Sequence, residues 1–181
     1  MKTFLQLLGV ALIAVTTNNF VWFALTFWAY LATKSVIATS VVAGVWLVSS
    51  IFTANVFGAI IDHQQKKQAL LGSSAATLLL FLAGYLFFRA QPESAFATVA
   101  SVSFWVLVLI LTGGVIAGSM YNIAMPTLVA VLVAEDERVR ANGLLGTATG
   151  ISFAITSVAS GISLAFGGMP FVLTVALLLT L

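Results

Sequence analysis

From Ala95 to Ala134 the chain carries no charged side chain. That stretch constrains the fold more than any other feature. A helix or strand bathed in water must keep a polar face, whereas eighteen or more consecutive apolar residues make a membrane span. Comparable runs recur along the chain, which is 61% hydrophobic and 7% charged, with a mean hydropathy of +1.16. Soluble domains carry roughly a quarter charged residues. The expected class is therefore an all-α integral membrane protein with the lipid bilayer as its first partner. The absence of cysteine removes disulfides and thiolate metal sites, and a net charge of +2 is too small to argue for nucleic acid.

The charges that exist punctuate the chain. Met1-Lys2-Thr3 precedes an apolar run that continues to Leu31, well past the length of a signal-peptide core, so it is read as a first span over 4–31. Lys34 marks a short turn, followed by spans at 36–61 and 69–88, and then by the polar loop Arg89-Ala90-Gln91-Pro92-Glu93-Ser94. The uncharged stretch that follows is too long for one ordinary span. It fits either an embedded loop and one helix over 103–134 kinked at Pro126, or two short helices broken at Gly113-Gly114. With one helix, Lys2, Lys66, Lys67, Arg138 and Arg140 share a side and only Lys34 and Arg89 face the other. That asymmetry matches the positive-inside rule with a cytoplasmic N-terminus in the cell (inner) membrane. Trp28, Tyr30, Tyr85 and Trp105 then fall near the outer interface. A fifth span is expected over 144–166, and Gly167-Gly168-Met169-Pro170 turns into a sixth at 169–181. The sixth would reach only roughly 18 Å into a core of about 30 Å. The expectation is a truncated last helix in a fragment of a longer protein.

Two clusters break the hydropathy at one end. In the first, Ser50, Ala54, Gly58 and Asp62 share a helical face, so small residues lead to a carboxylate placed at the unfavourable end of the helix dipole. The second is Glu135-Asp136-Glu137-Arg138-Val139-Arg140-Ala141-Asn142-Gly143, after which Gly146, Gly150 and Gly161 mark a stripe suited to close helix packing.

Gly58-Ala59-Ile60-Ile61-Asp62-His63-Gln64-Gln65-Lys66-Lys67 resembles the loop motif of the major facilitator superfamily of transporters: Gly, three residues, Asp, a basic residue, then Gly and two basic residues. Gly58, Asp62, Lys66 and Lys67 match; His63 stands where Arg or Lys is usual, and Gln65 where the second Gly is usual. Arg138-Val139-Arg140-Ala141-Asn142-Gly143 resembles the corresponding later loop of the branch containing macrolide and enterobactin exporters. The resemblance implies the amino-terminal six-helix half of a twelve-helix fold, built as three-plus-three inverted repeats, with the C-terminal half absent. It also implies a cytoplasmic gate made of Gly58, Asp62, Lys66, Lys67, Glu135, Arg138 and Arg140. The family's antiporter motif in helix five would fall at 152–161, where the final Gly161 is retained and the proline is missing.

Polar residues at membrane depth supply the candidate substrate contacts: Asn18, Asn19, Tyr121 and Asn122, with Thr26 and the neighbours Trp22 and Met125. An amide in hydrocarbon needs a partner, so these side chains should face the bundle interior. Substrate contact is one reading; the other is interhelical hydrogen bonding, worth about 0.6 kcal/mol each. No acid, base or histidine lies within a predicted span, so neither enzyme chemistry nor a metal or cofactor site is expected. Any coupling to protons would have to use Asp62, the absent half, or another mechanism. The expected activity is export of a small amphipathic solute by alternating access. Its rivals are a uniporter or importer of a neutral nutrient and a non-transporting six-helix scaffold or assembly protein.

Overall fold

The computed structural model describes the backbone of residues 2–63 and 65–181. Met1, Gln64 and the side chains of Lys2 and Thr3 lie outside the described residues, and with them the expected Lys2 charge and one position of the loop motif. Every regular element among the described residues is helical: α1 (Lys2–Thr33), α2 (Val36–His63), α3 (Lys66–Ala90), α4 (Val102–Gly118), α5 (Met120–Leu132) and α6 (Arg138–Thr180), with short 3-10 turns at Glu93–Phe96 and Glu135–Glu137. Taking α4 and α5 as one path, five segments are long and apolar enough to cross a membrane.

The connections follow from local chemistry. Lys34 adopts a left-handed conformation at φ 53°, and its N–H donates to the Tyr30 carbonyl at 2.7 Å. The Ser35 hydroxyl then accepts from the Ala38 N–H at 3.2 Å, capping the start of α2. Ser101 caps α4 in the same way by accepting from the Phe104 N–H.

Two expectations are corrected. The charged residues around Gln64 and after Glu137 do not form loops: Asp62 and His63 end α2, Lys66 and Lys67 begin α3, and Arg138 and Arg140 begin α6. Long charged side chains at a membrane boundary reach water from a helix, so hydropathy alone makes the helices too short at their charged ends. The fourth span is interrupted at Ser119, where the Ser119 N–H is shared between the Val115 and Ile116 carbonyls, while helix continues through Pro126. The turn expected at 167–170 is present: α6 comprises two helical stretches that meet at a kink at Gly168 (φ 64°, ψ −169°), a conformation open to glycine.

Two apolar clusters occupy the two ends of the bundle. One joins 20–29 of α1 to Phe81 and Phe88 of α3, 104–115 of α4, and Met169, Val172, Leu173 and Ala176 after the α6 bend. The other joins Phe4 to Val15 of α1 with Ala69, 120–133 and Ala141. Between them, the buried Thr17, Asn18, Ser73 and Thr77 form a polar layer. Trp28, expected at the outer interface, is buried in the first of these clusters. It stacks on Phe104 at 5.6 Å and meets Phe88 and Phe96 edge-on.

Burial is unequal among the helices. It reaches 44% of the apolar window of α1 and 11% of that of α2. Val41, Val48, Ile51 and Phe52 of α2 and Ile151, Phe153, Ile155 and Val158 of α6 are exposed.

Candidate functional site

The polar layer is the place where bilayer physics demands an explanation, because each donor or acceptor there must find a partner inside the protein. Most do. The Ser73 hydroxyl donates to the Ala117 carbonyl at 2.7 Å, and Thr77 donates to the Gly114 carbonyl at 3.3 Å. The Asn18 amide donates to the Val115 carbonyl at 2.8 Å, while Ser74 and Tyr121 share a hydrogen bond of 3.0 Å. These bonds converge where Gly118 and Ser119 loosen the α4–α5 backbone. They clamp α1 and α3 to that weak point. The Asn18 Oδ1 and Thr112 Oγ1 atoms are buried without a partner.

The seven candidate substrate residues do not form one site. Adjacent helical positions point about 100° apart, so Asn18 and Asn19 diverge, as do Tyr121 and Asn122. Asn18 and Tyr121 face α3 and α4 and belong to the clamp. Asn122 faces the other way, into a cavity of about 450 Å³ between α1, α5 and α6, which Met125 also lines. Leu12, Val15, Thr149 and Phe153 complete most of its wall. Asn19, Trp22 and Thr26 do not line it. Trp22 instead stacks on Trp46 of α2 with ring centroids 4.6 Å apart, and the Thr26 hydroxyl donates to the Trp22 carbonyl of its own helix. Thr149 was missed by sequence reasoning, although it lies one turn beyond Leu145 on the glycine-bearing face.

The glycine stripe of α6 is also corrected. A Cβ built on Gly146 or Gly150 would meet nothing within 4 Å, and both glycines line the cavity. Missing side chains here make room rather than close a helix contact. Gly161 lies only at ordinary distance from Phe27, 3.7 Å from its ring. The close approaches lie between α3 and α4. A Cβ on Gly84 would fall 2.5 Å from Leu111, and one on Gly114 would fall 2.6 Å from Phe81.

At the charged end, the expected gate residues come from two segments of the chain and are engaged separately. Asp62 is exposed and Gly58 has open space around it. Lys66 Nζ lies 3.5 Å from the Ile61 carbonyl. Arg138 folds back to cap α5, donating from Nη2 to the Ala130 carbonyl at 2.9 Å and from Nε to the Val133 carbonyl at 3.2 Å. Glu135 sits in the turn before it and Arg140 is exposed.

Fold and composition together define a multi-pass α-helical membrane protein. Comparison of the chain with protein-family models, curated proteins and solved structures returns no match.

Proposed function

We propose that the chain is the six-helix half of a secondary transporter of the major facilitator type, moving a small amphipathic or lipophilic solute outward by alternating access. The observation that carries this reading is the cavity between α1, α5 and α6. It is apolar over most of its wall, holds the two polar groups Asn122 and Thr149, and is widened by Gly146 and Gly150. Such a lining suits a solute with a large apolar surface and one or two hydrogen-bonding groups. The resemblance of Gly58–Lys67 to the superfamily's loop motif supports the same reading. In it, the exposed faces of α2 and α6 meet a second six-helix unit, and Asp62 meets the gate partners of that unit when the inner side closes.

The test is flux of lipophilic solutes in vesicles holding the full-length protein, with and without a pH gradient. Export that falls at least tenfold in Asn122→Leu, at unchanged abundance, is the expected result. A flat response across the panel would remove the transport reading.

A further inference from the structure

We propose that a cleft between α1, α3 and α5 is a binding site for an anionic phospholipid, with the phosphate held by Lys66 and Lys67 and one acyl chain lying along the apolar wall. The cleft adjoins the cavity that holds Asn122, with Ala11 and Met125 forming the wall between them. Its volume is about 350 Å³, and Val10, Leu70, Leu71, Leu128 and Leu132 supply most of its surface. Its two charged lining residues are both lysines, and they stand together at the first turn of α3. Asp62, the nearest acid in sequence, is exposed at the end of α2 and does not line the cleft.

Three features match this occupant. The wall from Leu132 to Tyr121 extends about 16 Å along α5 at 1.5 Å per residue, about half of a roughly 30 Å hydrocarbon core and so the depth of one leaflet. The charge sits at one end only, as in a lipid and unlike a peptide or a soluble anion. The N-terminus of α3 lacks a side-chain cap, since Gln65 makes no such hydrogen bond. Its first N–H groups therefore add positive potential beside the two ammonium groups. One of the three Lys66 donors is directed to the Ile61 carbonyl, which leaves the others for a phosphate. The assignment concerns retention of a lipid and stands apart from the transport reading.

Native mass spectrometry of the full-length protein in neutral detergent tests it, using phosphatidylglycerol and phosphatidylcholine with identical acyl chains. The protein should retain phosphatidylglycerol preferentially. K66Q/K67Q should bring its retention down to the phosphatidylcholine level, a loss of roughly fivefold per lysine. Val10→Trp and, independently, Leu71→Trp should obstruct the cleft and lower retention of both lipids with the lysines intact; both positions are exposed, so neither disturbs the core. Equal retention of the two lipids by the unaltered protein would overturn the proposal, as would a phosphatidylglycerol preference that survives K66Q/K67Q. Displacement of the lipid by an equal concentration of inorganic phosphate would also overturn it, by reducing the cleft to an anion site.

Discussion

Two regions of this bundle are built from the same residue types and behave in opposite ways. In the seam between α3 and α4, Gly84 and Gly114 sit under Leu111 and Phe81, and Ser73 and Thr77 hydrogen-bond to backbone across the gap. On α6, Gly146 and Gly150 face open space, and large apolar side chains around them are exposed. Lipid tails are as apolar as leucine, so burial of apolar surface gives little drive for helices to associate in a bilayer. Close van der Waals approach and interhelical hydrogen bonds must do it. The seam has both. On α6 the contacts to α1 are made by the neighbours, Ser152 to Thr16 at 3.0 Å and Phe153 to Phe23, while Gly146 and Gly150 touch nothing and shape a cavity instead of a contact.

Gly114→Ala against Gly146→Ala probes that difference with the largest expected effect. At Gly114 the new methyl would stand 2.6 Å from the Phe81 ring, and a ring held at 0% exposure has little room to retreat. Overpacking of this kind costs about 1–3 kcal/mol. At Gly146 nothing stands in the way, and the better helix propensity of alanine leaves stability unchanged or raised by up to about 1 kcal/mol. Thermal unfolding of the two variants in the same detergent measures both. Equal destabilisation would mean that the α6 face is packed as tightly as the seam.

How far these regions were legible in the sequence depends on what each property needs. The uncharged runs gave the helical membrane class, because span length is a local property of composition. The turn at Gly168 was legible from its Gly-Gly and the following proline. The direction of the glycines was not, because spacing reveals a face of small residues but not whether a neighbour comes near it. The pair Gly114 and Gly118, four residues apart, carried the same small-residue signal as Gly146 and Gly150, yet only the first pair meets another helix. For the candidate site, a list of polar residues at one depth could not tell Asn18 from Asn122. That distinction rests on helix rotation, which is fixed by α3 and α6 far away in sequence. The break at Ser119 rather than Pro126 was hidden for a similar reason, since the clamp from Asn18 and Ser73 reaches the backbone around it from two other helices.

The two asparagines sharpen the comparison at intermediate magnitude. Asn18 is 5% exposed and bridges α1 to the Val115 carbonyl. Asn18→Leu should cost about 0.6–1.7 kcal/mol, moderated because its Oδ1 already lacks a partner. Asn122 is exposed to the cavity, so Asn122→Leu should change stability by less than about 0.5 kcal/mol and act on flux alone. Paired denaturation and flux measurements separate the two roles, and a stability loss at Asn122 as large as that at Asn18 would merge them.

The smallest expected effects lie at the charged end, where Arg138 and Asp62 offer the same contrast between an engaged and a free group. Arg138 satisfies two carbonyls at the end of α5 and places a positive charge at the negative pole of that helix. Arg138→Met removes both, at a cost of about 0.3–1 kcal/mol, and should fray α5 at Ala130–Val133, seen as faster amide hydrogen exchange there. Asp62 is exposed at the end of α2, where its charge opposes the dipole of its own helix. Asp62→Asn should leave the unfolding temperature unchanged or slightly raised, within about 0.5 kcal/mol. Any loss of flux in that variant then reports a gating charge, because it cannot come from weakened folding. Full flux in Asp62→Asn would instead mark the carboxylate as an ordinary solvated charge, and the gate would have to be sought at Arg140 and Glu135.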